Sequence, residues 1–162
     1  MKLRIPMIVA VRSFVIAEKQ EATKKIDSKR RVVKRLKFPS SYTLVLDTET
    51  TVDHLQNMRF GTYQVRQDGK LVEKGLFYEP TALKPGEARL VRSYCKKHAL
   101  TLRERISFLR EVFYRYGYDR GGLIVGFNVP FDLSRLASNA DTSHGFDMRG
   151  GFSLELLPEK WM

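Results

Sequence analysis

The stretch Leu44–Thr51, LVLDTETT, constrains this chain more than any other. It begins as a run of apolar and β-forming residues that needs burial and ends with two carboxylates one residue apart. On an extended strand, residues i and i+2 point the same way about 7 Å apart, so Asp47 and Glu49 share one face. Their charges repel unless a cation lies between them, and a divalent metal is the natural candidate. The strand should therefore run out of a core and end at a site.

The rest of the composition allows such a core. The chain has 162 residues, 43% hydrophobic and 11% aromatic, which suits one globular unit and is too apolar for a disordered chain. The single cysteine, Cys95, can form no internal disulfide, so nothing points to an oxidising compartment. The opening MKLRIPMIVAVRSFVIAE imitates a secretory signal, but Arg12 interrupts the apolar run after Val11. No other stretch approaches the roughly 20 residues of a membrane span. The opening is read as a strand or amphipathic segment packed on the domain, and the protein is expected to be cytoplasmic with no membrane partner.

Charge is concentrated at one end. The net charge is +11, and residues 1–40 hold 12 Lys and Arg against 3 acids, whereas the remainder has 17 against 15. The segment Ile16–Leu36, IAEKQEATKKIDSKRRVVKRL, has good helix formers and no Pro or Gly, so its charges are expected to line a helix. A solvated helix face and a phosphate-binding surface account for this equally well. On the second account Lys29, Arg30, Arg31, Lys34 and Arg35 are the nucleic-acid contacts. Two units follow: a basic segment over 1–38 and a domain over 39–162.

Beyond Pro39 the chain alternates strands and helices. A first strand is expected over Tyr42–Asp47 and a second over Met58–Arg66. The QDGK turn, Gln67–Lys70, then leads into a third at Leu71–Tyr78, making a hairpin. Helical patterning covers Ala88–His98 and Leu102–Tyr116, with Ile106, Leu109, Val112 and Phe113 on one face as core. Leu123–Phe127 is fully apolar and reads as a buried central strand, followed by a short helix near Phe131. A small hairpin is expected in GFDMRGGFSLELL, turning at Arg149–Gly151.

The second chemical signal is GFNVPFDLSRLA, Gly126–Ala137. Asp132 falls in the first turn of the last helix, where it could simply complement the helix dipole. Its place after an apolar strand suggests more, because reactive groups in open α/β sheets collect at strand ends. A third acid would then arrive beside Asp47 and Glu49, and three carboxylates in one place need cations.

Together these stretches resemble the first and second motifs of the DEDD superfamily of 3′→5′ exonucleases, the DnaQ-like group with an RNase H-like fold. That family has Asp-x-Glu at the end of its first strand and Asn-x-x-Phe-Asp after the fourth, and both occur here in order, from about Tyr42 to Leu136. The resemblance implies an α/β fold with an RNase H-like mixed sheet, an antiparallel hairpin plus a parallel strand, and helices on its faces. It further implies that Asp47, Glu49 and Asp132 are catalytic and ligate two Mg²⁺ or Mn²⁺ ions, with Thr50 beside the terminal nucleotide. Asn128 would order the loop and Phe131 would pack near the metals. The implied substrate is a nucleic-acid end, single-stranded DNA ahead of RNA, with replication or repair proteins as candidate partners.

The chain also departs from the family pattern. Relatives usually have Gly where Val52 follows the Thr pair. The third motif, a His or Tyr followed four or five residues later by Asp, is missing; His144 and Asp147 in HGFD have the wrong spacing. The expected domain is thus incomplete at its C-terminus. Two accounts follow: the chain is the N-terminal part of a longer exonuclease, or it is a catalytically impaired remnant that binds nucleic acid.

Overall fold

A computed structural model describes residues 7–11, 40–142 and 151–157. The described residues form an α/β structure with two sheets. In chain order the elements are β1 (Met7–Val11), β2 (Tyr42–Thr50), β3 (Met58–Gln67), β4 (Lys70–Tyr78), α1 (Pro85–Lys97), β5 (Thr101–Glu104), α2 (Arg105–Phe108), β6 (Leu123–Val125), α3 (Val129–Leu136), β7 (Asn139–Thr142) and β8 (Phe152–Leu157). After Phe108, α2 continues as a π-helix over Leu109–Asp119. No helix among the described residues is long and apolar enough to cross a membrane.

The larger sheet has five strands in the order β5-β4-β3-β2-β6 and is mixed. β2, β3 and β4 form an antiparallel meander, while β5 runs parallel to β4 and β6 parallel to β2. The expected hairpin is present because Asp68 and Gly69 both adopt positive φ, 50° and 77°, as a tight primed turn requires. The smaller sheet, β1-β8-β7, is antiparallel throughout. It pairs Met7–Val11 with Phe152–Leu157, so part of the first 38 residues shares a sheet with the rest of the chain.

Alternation along β2 sets the architecture. Leu44, Leu46 and Thr48 are buried, whereas Asp47 and Glu49 are exposed on the opposite face. On the buried side the π-helical turns bring Leu109, Val112, Phe113 and Tyr116 against the sheet, joined by Leu133 and Leu136 of α3. Each fully buried large apolar side chain stabilises the fold by about 1.5–3 kcal/mol. Phe77 and Phe108 stack at 4.0 Å between ring centroids and tie β4 to α2. A polar cluster closes the β4–β5 end: Arg103 donates to Tyr63, Glu73 and Glu111, and the Tyr63 hydroxyl donates to Glu73. Burial, reinforced by the bond to Glu73 and its charge, pushes the Tyr63 hydroxyl well above the ordinary phenol range, so it remains a neutral donor.

Three elements differ from the sequence-based expectations. Leu123–Val125 is an edge strand, not a central one, and Leu123 and Val125 are 48% and 38% exposed. An apolar run alone cannot separate a strand covered on both faces from one whose second face lies open. Thr101–Glu104 forms β5, and helix begins only at Arg105. Ala99, at φ 50°, turns the chain out of α1, and four residues are too few to show a strand period. The late hairpin pairs Thr142 with Phe152, wider than the expected Arg149–Gly151 turn; residues 143–150 lie outside those described.

Gly61 lies opposite Thr48 at the middle of this arrangement. A Cβ there would come within 2.3 Å of the Phe77 ring and 2.6 Å of the Asp47 carbonyl oxygen. Gly61→Ala is expected to lower stability by about 2 kcal/mol or more in urea unfolding followed by circular dichroism.

Candidate functional site

The site begins where β6 ends. The ladder between β2 and β6 pairs Thr43 with Leu123, Leu44 with Ile124 and Val45 with Val125, and then stops. β2 continues for five more residues, to Thr50. A backbone N–H on that unpaired edge needs another acceptor if it is buried. For Thr48 the acceptor is Asp132: its Oδ1 accepts from the Thr48 N–H at 3.1 Å and from the Thr48 Oγ–H at 2.7 Å. The carboxylate of α3 thus closes on the backbone between Asp47 and Glu49.

Local sequence explains why Asp132 can reach. The chain leaves β6 through Gly126, where an added Cβ would lie 3.0 Å from the Leu46 carbonyl oxygen and 3.3 Å from Asp132 Oδ2. A side chain there would press on both by a few tenths of an ångström, so glycine suits the approach. Asn128 occupies the N-cap of α3, with Pro130 in the first turn, where a missing N–H costs nothing. Asp132, in the same turn, also complements the helix dipole.

Asp132 is 2% exposed, and its Oδ2 is buried with no hydrogen-bond partner among the described residues. Among the described residues no Lys or Arg pairs with it, nor with Asp47 or Glu49. Leaving a buried polar oxygen unpaired costs about 1–3 kcal/mol, and more when it carries charge. A hard cation is one partner that satisfies such an oxygen.

Asp47 and Glu49 are exposed, on the face of β2 away from Thr48. Asp132 is therefore joined to the backbone of the acid-bearing stretch, while the two strand acids project from its other side. Among the described residues no three His, Cys, Asp or Glu side chains are grouped closely enough to hold a metal. Of the three predicted ligands, Asp132 is the one with a buried, unpartnered oxygen among the described residues.

The remaining predicted residues occupy distinct places. Thr50 is half-buried and follows a bulge at Glu49, pairing with Met58. Asn128 is exposed and makes no side-chain capping bond, so its contribution is that of a helix-start backbone. Phe131 is half-buried beneath the Arg135 guanidinium, 5.0 Å from its ring centroid. Lys29, Arg30, Arg31, Lys34 and Arg35 lie outside the described residues, as does the expected basic helix.

Two participants escaped the sequence analysis. Thr48 carries the tie to Asp132, and the signal was present: alternation puts a polar residue on a buried face, where it must find a partner. Arg135 donates to the carbonyl oxygens of Leu55 and Gln56 and so clamps the loop after β2 to α3. Inside that loop Asp53 Oδ1 accepts from the Thr51 hydroxyl and from the N–H groups of Leu55 and Gln56. No sequence pattern pairs an arginine with carbonyls some 80 positions away.

Comparison of the chain with protein-family models, with curated proteins and with solved structures gave no match.

Removing the Thr48 hydroxyl isolates its bond to Asp132. Thr48→Val keeps the shape and is expected to cost about 1–3 kcal/mol, because Oδ1 loses one of its two donors in a buried setting. Asp132→Asn removes the buried charge and keeps an acceptor for Thr48, so it is expected to be within about 1 kcal/mol of the parent or more stable. Urea unfolding of both variants checks the pair; a Thr48→Val protein as stable as the parent would contradict the role given to the tie.

Proposed function

We propose that this protein carries the first and second motifs of a metal-dependent 3′→5′ exonuclease of the DEDD superfamily, with an RNase H-like fold, and serves the hydrolysis of phosphodiester bonds at nucleic-acid ends, DNA ahead of RNA. The observation that carries the proposal is Asp132: a buried carboxylate with one unpartnered oxygen, hydrogen-bonded to the residue between Asp47 and Glu49. A mixed sheet in which β6 runs parallel to β2 and stops beside it at Val45, just before the acid-bearing stretch, supports the same reading. So do the two sequence motifs and their order along the chain.

In this proposal Asp47, Glu49 and Asp132 would hold two Mg²⁺ or Mn²⁺ ions. Bound ions of this kind supply Lewis acidity, activating a water and stabilising the leaving oxygen. The chain's own part is positional. Thr48 fixes Oδ1 of Asp132, which leaves Oδ2 as its free ligand atom. Asp47 and Glu49 offer oxygens on one face, open to solvent and to a strand end. Thr50 follows at the rim, next to where a terminal nucleotide would lie. The basic first 40 residues would gather the polyanion, with single-stranded DNA as the favoured partner and replication or repair proteins around it.

A second reading has its own support. Asp47 and Glu49 are not grouped with Asp132 into a metal-holding cluster, which suits a module that binds nucleic acid with the carboxylates vestigial. One experiment separates the two. Purified protein with Mn²⁺ and 5′-labelled single-stranded DNA is expected to give a ladder shortening from the 3′ end. EDTA stops it, and Asp47→Ala or Asp132→Asn slows it at least 100-fold. Intact DNA that is nevertheless bound in a salt-sensitive way, equally by parent and variants, would leave the binding module.

A further inference from the structure

We infer that the cavity beneath the loop after β2 is a binding site for a phosphate group. It measures about 360 Å³, and its lining includes Thr51, Asn57, Thr81, Arg105 and Arg135 but none of Asp47, Glu49 or Asp132. It is thus separate from the carboxylates, though it adjoins the end of the stretch that bears two of them.

Two guanidinium groups line this cavity, and both are already anchored. Arg105 donates through Nε to Glu79 Oε2 at 2.8 Å and through Nη1 to the Leu136 carbonyl oxygen at 2.9 Å. Arg135 donates through Nε to Ser134 and through Nη1 to the carbonyl oxygens of Leu55 and Gln56, with its plane over Phe131. In each case Nη2 has no partner among the described residues. Glu79 is the one acid among the described residues of the lining, and its charge is committed to Arg105. Burial alone would raise the Glu79 carboxyl, but the Arg105 hydrogen bond and charge, with help from Thr81, hold it below the ordinary carboxylate range. The ionised pair leaves Arg135 as net positive charge in a polar cavity.

Two anchored guanidinium groups lining one cavity, each with a spare Nη2, suit an anion with several acceptor oxygens, and phosphate offers more of these than a carboxylate does. Because both side chains are held before any ligand arrives, little of their entropy is lost on binding. The volume lies within the range of small-molecule sites, leaving room for a sugar attached to the phosphate. The bound group is either free phosphate, as in a mononucleotide, or a phosphate of a polynucleotide strand. The second source rests on the nuclease proposal; the site itself does not.

The test is run in EDTA, so that it is independent of metal. Inorganic phosphate is titrated into the ¹⁵N-labelled protein, then thymidine 5′-monophosphate, then a dT oligonucleotide. The expected result is saturable shifts at the amides of Thr51, Thr81 and Ala82, present also in Asp132→Asn. Ala82→Glu, which adds a carboxylate to the lining and removes no arginine contact, should weaken binding at least fivefold. Displacement of phosphate from these amides by the oligonucleotide assigns the site to a strand, and retention assigns it to free phosphate; both uphold the site. Shifts that do not saturate, that avoid these amides, or that Ala82→Glu leaves unchanged would overturn it. A protein that binds phosphate here yet degrades no DNA would refute the nuclease proposal alone.

Discussion

The described structure turns on a carboxylate that replaces a missing strand. β6 stops three residues before Thr48, and Asp132 supplies the acceptor that the next strand residues would have supplied. That single substitution fixes several things at once. It docks α3 on the edge of the sheet, favours glycine at 126 where the chain crosses, and leaves Oδ2 buried without a partner among the described residues. Had the edge been finished by backbone alone, no charge would be buried there. A purely structural role could be filled by asparagine; an ionisable group with an empty oxygen is costlier for the fold and suits a ligand.

The sheet presents two unlike faces around this point. One is sealed by α3 and by the helix running from Arg105 to Asp119. The other carries Asp47 and Glu49 in the open, with Thr62, Gln64 and Lys74 lining a second cavity beside Asp47. Two like charges about 7 Å apart are inexpensive in water and become costly only if solvent is displaced, for example by a substrate. Asp132 is already desolvated; the strand acids are not. Chemistry at this site would therefore draw on one preset ligand and two that are still hydrated.

The sequence revealed features whose signal is local. The Asp68-Gly69 hairpin was legible because positive φ at both residues is chemistry that few other dipeptides tolerate. The apolar face of the helix beyond Arg105 was legible because Leu109, Val112 and Phe113 repeat at helical spacing, and all three are buried. Asp132 could be singled out by its place after an apolar run. Features set by distant partners were not legible: β5 pairs with the edge that β4 offers, and β6 is peripheral because among the described residues no strand pairs with its outer side. The bond from Thr48 to Asp132 spans 84 positions, and no pattern in either motif announces it. The basic stretch Ile16–Leu36 was the plainest compositional signal, and it lies outside the described residues.

The central proposal is that Asp132 keeps an oxygen free for a cation beside β2, with Asp47 and Glu49 as the other proposed ligands. Mn²⁺ titration followed by electron paramagnetic resonance measures this without any nucleic acid. The account predicts saturable binding approaching two ions per chain, with at least tenfold loss of affinity in Asp132→Asn while the fold is retained. Binding that is absent, or equally strong in the parent and Asp132→Asn, would contradict it.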